Sequence, residues 1–158
     1  MNRQYLTILQ ESLQKKIRIL DEIQRICTYQ SELLTADSID YEKYDRYVDD
    51  KDICIEQLNQ LDEGFDQLYN KVREELQQNK ALHTDWIKTA KDLISQITEK
   101  SVAIQAQELR NKQTLETMFN KERANLGKGK KSVKAAMDYY RNMSKTNVVT
   151  SQYMDRKK

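Results

Sequence analysis

The chain has 158 residues, of which 38% are apolar and 33% are charged. Domains contain about 100–150 residues with an apolar share of about 45–50%, so the length suits one domain but the composition excludes a thick globular core. The formal net charge is +2, and no apolar run reaches seven residues. We therefore expect no signal peptide, no membrane insertion and a cytoplasmic location. Proline is absent and only three glycines occur, which predicts long uninterrupted helices.

The first predicted helix covers about residues 2–35. Its apolar positions recur at every seventh residue, at Leu6, Leu13, Leu20, Cys27 and Leu34. Because an α-helix turns once in about 3.6 residues, a seven-residue repeat keeps one stripe facing a partner helix. The short polar side chains of residues 35–38 end this helix and can cap the next one.

The second predicted helix covers about residues 39–79 and carries two parallel seven-residue rows. The rows are Tyr41, Val48, Ile55, Asp62, Tyr69 and Leu76, and Tyr44, Lys51, Leu58, Phe65 and Val72. Lys51 interrupts the second row, where a lone charge either fixes the register of the helices or extends to the edge of the seam. Ten Asp and Glu residues against three Lys and Arg make residues 37–63 the acidic part of the chain.

A turn at residues 80–84 precedes the third predicted helix, with a cap at Thr84 or Asp85. Its apolar stripe weakens between residues 105 and 114, where only Ala106 and Leu109 are apolar, and returns at Leu115. Short connections make neighbouring helices antiparallel. The sequence therefore predicts an all-α fold, in which residues 1–126 form an elongated antiparallel bundle of three long helices.

Residues 127–158 are predicted to form a flexible basic C-terminal segment that contains a short mobile helix over residues 132–143. Residues 121–158 carry eleven Lys and Arg against three Asp and Glu. Apart from Met1, every methionine lies in the last 41 residues. Methionine is frequent on surfaces that bind differing apolar partners, although these residues could also pack on the bundle. The predicted binding residues are Met118, Phe119, Leu126, Val133, Met137, Tyr140 and Met143.

No pattern in the sequence indicates catalysis. His83 is the only histidine, and Cys27 and Cys54 lack metal-ligand spacing. Both cysteines are expected to be reduced, with Cys27 acting as a small hydrophobic residue. The acidic residues between 42 and 56 indicate a solvated face in preference to a cation site. We therefore expect no enzyme activity and no metal or other cofactor. We also expect no nucleic-acid binding, because the whole-chain pI is only about 8.4.

Four segments resemble FlgN-type flagellar export chaperones of Gram-positive bacteria. They are residues 47–52 (YVDDKD), 61–69 (LDEGFDQLY), 136–140 (AMDYY) and the ending 151–158 (SQYMDRKK). The resemblance implies a cytoplasmic chaperone of the flagellar type III secretion system. Such a chaperone binds the terminal amphipathic helices of hook–filament junction proteins, prevents their premature assembly and delivers them to the export gate.

The resemblance also implies that a C-terminal tyrosine contacts the export gate, for which Tyr139 and Tyr140 are both candidates. In the cargo-binding segment, anchors spaced three or four residues apart would suit a helix-in-groove contact. The alternative is a coiled-coil structural or scaffold protein that homo-oligomerises through its heptad rows. Under either interpretation two chains could pair as a homodimer.

Overall fold

The structure, a computed structural model, describes residues 3–121. The described chain folds into α1 (Arg3–Leu33), α2 (Tyr41–Gln78) and α3 (Thr84–Lys121), with a single 3-10 turn (Lys80–His83) before α3. No strand occurs among these residues. The predicted all-α class is therefore confirmed for the described part of the chain. The predicted segment 127–158 and its short helix lie outside the described residues.

Contacts between α1 and α2 occur in opposite order along the two helices. Lys16 near the middle of α1 contacts Asp62, whereas Gln30 near its end donates a hydrogen bond to the carbonyl oxygen of Tyr44. The two helices therefore run in opposite directions, as their short connection requires.

Contacts between α1 and α3 occur in the same order along both helices. Trp86 Nε1 donates to the carbonyl oxygen of Leu6 at 2.8 Å, and Lys100 Nζ contacts Asp21 Oδ1 at 2.6 Å. These helices run in the same direction, and α1 packs against both α2 and α3. At a rise of 1.5 Å per residue, the three helices are about 46–57 Å long.

The seven-residue rows form the core. Every member of the α1 row that begins at Leu6 is buried, as is every member of the two α2 rows except the half-buried Tyr41. The burial includes the charged members Lys51 and Asp62, which occupy row positions like their apolar neighbours. The prediction that these rows face partner helices is confirmed.

The predicted helix starts require two corrections. Asp40, and none of residues 35–38, caps α2, because its Oδ1 accepts a hydrogen bond from the Lys43 backbone N–H at 3.0 Å. The predicted cap at Thr84 is wrong, since its backbone is already helical and its hydroxyl donates to the carbonyl oxygens of Lys80 and Ala81. The 3-10 turn therefore leads directly into α3. Within residues 3–121, none of the helices has an apolar stretch sufficient to cross a bilayer.

Candidate functional site

The structure describes two of the predicted cargo-binding residues, and both lie in the last turn of the described α3. Met118 is half-buried and packs against the apolar core, and Phe119 is half-buried beside it. The contact of Met118 with the core means that it serves helix packing as well as any binding role. The remaining predicted residues, for cargo and for the export gate, lie outside the described residues: Leu126, Val133, Met137, Tyr139, Tyr140 and Met143.

A buried polar cluster joins all three helices in the C-terminal half of α3. Lys51 Nζ lies 2.7 Å from Glu108 Oε1, and the Cys27 thiol donates to the same carboxylate oxygen. The Lys51 side chain is fully buried, so the expectation that it extends to the edge is wrong and only the register role remains. Because one carboxylate contacts α1 and α2 at once, this cluster fixes how α3 aligns with both of them.

Burial determines the chemistry of Cys27. It raises the pKa of the thiol well above its ordinary value, which outweighs the opposing effect of the nearby Lys51 ammonium. The thiolate, the nucleophilic form of cysteine, is therefore scarce at neutral pH. Cys27 is a buried weak hydrogen-bond donor in a polar cluster, so its predicted role as a small hydrophobic residue is incomplete.

Asn111 extends the cluster by one turn of α3. Its side chain accepts from the Ser31 hydroxyl at 2.6 Å and donates to the carbonyl oxygen of Cys27 at 3.1 Å. Gln107 Nε2 also donates to the Ser31 hydroxyl oxygen at 3.2 Å. Between residues 105 and 114, where the apolar stripe weakens, hydrogen bonds made by Gln107 and Asn111 therefore hold α3 against α1.

Glu108 and Asn111 cannot be recognised as buried residues from the apolar pattern alone. Both continue the seven-residue rows of α3, which are Ile94, Ser101, Glu108 and Leu115, and Ala90, Ile97, Ile104, Asn111 and Met118. Leu109, one of the two apolar residues between 105 and 114, is 54% exposed. A seven-residue repeat that is followed through polar as well as apolar positions includes Glu108 and Asn111. It is the sequence signal for their burial.

A second buried ion pair joins α1 to α2. Lys16 Nζ lies 2.7 Å from Asp62 Oδ1, beside a cavity of about 20 Å³ that Phe65, Ile94 and neighbouring core residues line. Desolvation lowers the pKa of Lys16 and raises that of Asp62, and in each case this outweighs the stabilising charge of the partner. The cavity has room for about one water molecule. The pair joins α1 to α2, and the adjoining cavity is too small for a substrate.

The acidic face of α2 is largely solvated. Glu42, Asp49, Asp52 and Glu56 are exposed, and only Asp45 is half-buried. Desolvation, together with the neighbouring Asp49 carboxylate, raises the pKa of Asp45. Across residues 3–121, no group of three or more His, Cys, Asp and Glu side chains is arranged to hold a metal ion.

His83 lies at the connection between α2 and α3. Its Nε2 is 2.8 Å from Glu75 Oε2, so the ring is tied to the end of α2. This contact stabilises the turn.

A comparison of the chain with protein-family models, with curated proteins and with solved structures found no match.

Proposed function

We propose that the protein is a cytoplasmic flagellar export chaperone of the FlgN type. In this proposal it binds the terminal amphipathic helices of hook–filament junction proteins, prevents their premature assembly and delivers them to the type III export gate through Tyr139 or Tyr140. It acts as a binding protein without enzymatic activity, and it neither binds nucleic acid nor inserts into a membrane.

In the proposed architecture, residues 1–126 form the elongated antiparallel three-helix bundle and residues 127–158 form the basic segment with a short mobile helix. The observation that carries the proposal is the position of Met118 and Phe119. They lie half-buried in the last described turn of α3, immediately before the part of the chain that contains the remaining methionine anchors. Flexible methionine side chains are well suited to gripping a cargo helix.

The scaffold alternative requires heptad rows that pair between chains. In the described residues the principal rows of α1, α2 and α3 are buried against one another within a single chain. This internal use of the rows favours a carrier with a packed body over a protein that oligomerises through them.

A pair of matched variants tests the proposed cargo surface. We expect Met137→Ser combined with Tyr140→Ser to abolish binding of a junction-protein terminal helix in calorimetry while the circular dichroism spectrum retains its helix signal. The control, Val102→Ser with Leu109→Ser, changes two exposed apolar residues of α3 and should leave binding unchanged. Loss of helix content in the first variant would instead place Met137 and Tyr140 in the core.

A further inference from the structure

An open groove of about 620 Å³ runs between α1 and α2, and its lining contains no residue of α3. We call it the α1–α2 groove. Its floor is apolar and consists of Ile19 from α1 with Cys54 and Leu61 from α2. Ile19 and Leu61 are half-buried, whereas Cys54 is almost completely buried. The groove is therefore an open surface feature of α1 and α2, and its floor reaches the edge of the core at Cys54.

The apolar floor belongs to a second set of seven-residue rows, which lie beside the core rows described above. The additional rows are Ile19, Ile26 and Leu33 in α1, and Tyr47, Cys54, Leu61 and Leu68 in α2. Ile26 and Cys54 are buried in the core, and the other members of these rows are half-buried. The 45% exposed Tyr29 stacks on Tyr47 with ring centroids 5.7 Å apart. Parallel rows on two adjacent helices form the kind of seat into which another amphipathic helix packs.

The rim of the groove is basic on an otherwise acidic body. Lys15, Arg18 and Arg25 line its α1 side, where Glu22 is the single lining carboxylate and pairs with Arg25. The polar lining residues on the α2 side are the uncharged Gln57 and Gln60, and the Asp50 carboxylate adds a negative charge near Cys54. Residues 3–121 as a whole carry 17 Lys and Arg against 22 Asp and Glu. The local excess of positive charge therefore selects for a negatively charged occupant.

The charge of the groove argues against the chain's own C-terminal segment as the occupant. Residues 122–158 carry ten Lys and Arg against three Asp and Glu, so their charge has the same sign as the rim. Like-charge contacts of this kind reduce affinity. A partner helix that carries carboxylates complements the rim.

We propose that the α1–α2 groove binds an amphipathic helix of a partner protein whose apolar anchors, three or four residues apart, are flanked by Asp or Glu. The anchors pack on Ile19, Cys54 and Leu61, and the flanking carboxylates reach the rim cations. From Lys15 to Arg25 the groove follows α1 for about 15 Å, which matches roughly three turns of a helix. Neither Met118 nor Phe119 lines the groove, so this binding surface does not depend on the flagellar assignment.

The test uses the full chain and two synthetic helical peptides of about 18 residues, each spanning roughly 27 Å. Both peptides carry leucines at three- and four-residue spacing, flanked by glutamates in one and by lysines in the other. In fluorescence anisotropy we expect the glutamate peptide to bind about tenfold or more tightly than the lysine peptide. Its affinity should fall as the salt concentration rises.

Two double variants with the same change of charge assign the effect to the groove. Arg18→Glu with Arg25→Glu should weaken the glutamate peptide about tenfold or more, because the rim loses its positive charge. Lys88→Glu with Lys91→Glu alters exposed residues of α3 and should leave the affinity within about twofold. Both variants should keep the helix signal, since all four side chains are exposed.

Three results would overturn the proposal. They are equal affinities for the two peptides, equal weakening by the two variants, or no binding of the glutamate peptide at millimolar concentration. Sedimentation could give a fourth such result, because a self-association that Arg18→Glu with Arg25→Glu abolishes would identify the occupant as a second copy of the chain.

Discussion

Lys51 Nζ lies 2.7 Å from Glu108 Oε1, and both side chains are buried between helices that are widely separated in the sequence. A charged side chain in a helix seam usually costs desolvation free energy, which a well-placed opposite charge and further hydrogen bonds offset. Here the thiol of Cys27 supplies an additional hydrogen bond to the carboxylate. The pair links α2 to α3 directly, whereas most other packing of these two helices is against α1.

We expect removal of one partner of this pair to be more damaging than removal of both. Lys51→Met alone leaves the Glu108 carboxylate buried without its ammonium partner, which should lower the free energy of unfolding by about 3–5 kcal/mol. Lys51→Met combined with Glu108→Leu should recover most of that loss. Urea unfolding of the two single variants and the double variant measures this coupling, and strictly additive effects would contradict it.

We expect the Lys16–Asp62 pair to give a characteristic pH dependence. Because burial raises the pKa of Asp62 in the folded state, its contribution to stability is greatest below the unfolded value near 3.8 and is lost as pH rises through the raised pKa. Burial lowers the pKa of Lys16, so its contribution is present above the unfolded value near 10.5 and is lost as pH falls through the lowered pKa. At neutral pH the two pKa shifts therefore both lower the free energy of unfolding, compared with groups that keep their ordinary pKa values.

The double variant Lys16→Met with Asp62→Leu removes both titrating groups. It should be as stable as the parent at neutral pH or more stable by about 1–4 kcal/mol. Its advantage over the parent should grow as pH rises from acid to neutral, which denaturant unfolding across that range measures. An advantage that shrinks over this range would show that the paired charges stabilise the fold.

We expect Gly64→Ala to stabilise the protein. Gly64 lies in the interior of α2, and a Cβ atom built there meets no other atom within 4 Å. The substitution should therefore add about 0.5–1 kcal/mol by restricting the unfolded chain, with a rise of a few degrees in Tm. Glu63→Ala is the matched control, since it changes the neighbouring exposed residue and should alter stability by less than about 0.5 kcal/mol. A destabilised Gly64→Ala variant would contradict this expectation.

We expect Cys27 to be unreactive in the folded protein. Its side chain is fully buried and its pKa is raised, so both access and thiolate formation are unfavourable. In a Cys54→Ser variant, labelling by a thiol reagent at pH 8 should proceed only as fast as the protein unfolds. Addition of urea should accelerate the labelling in proportion to the unfolded population. Rapid labelling without denaturant would show that the cluster around Cys27 opens locally.

The helices and their inward faces could be predicted from the sequence, whereas the pairing of buried charges could not. A seven-residue repeat is a local pattern, so the rows through Leu20 and Leu58 are evident without knowledge of their partners. The partner of Lys51 depends on the alignment of α3 with α2, which residues far apart in the sequence determine. Glu108 itself resembles a solvated helix residue until that alignment is known.

The capping residue of α2 could not be predicted from the sequence for a different reason. Several short polar residues between 35 and 40 could accept a hydrogen bond from the start of the helix. Ile39 packs in the core, and the next residue, Asp40, is the cap. The burial of Ile39 therefore places Asp40 at the start of the helix. Tertiary packing therefore selects the cap.

Calorimetry gives the sharpest test of our proposal that the protein binds the terminal helices of flagellar junction proteins. The full chain is titrated with synthetic terminal helices of the junction, cap and flagellin proteins from the same genome. We expect tight one-to-one binding to a junction-protein helix, with weaker binding to the others. No binding to any of these helices, together with a sedimentation mass that is a multiple of the single chain, would contradict the chaperone assignment and support the scaffold alternative.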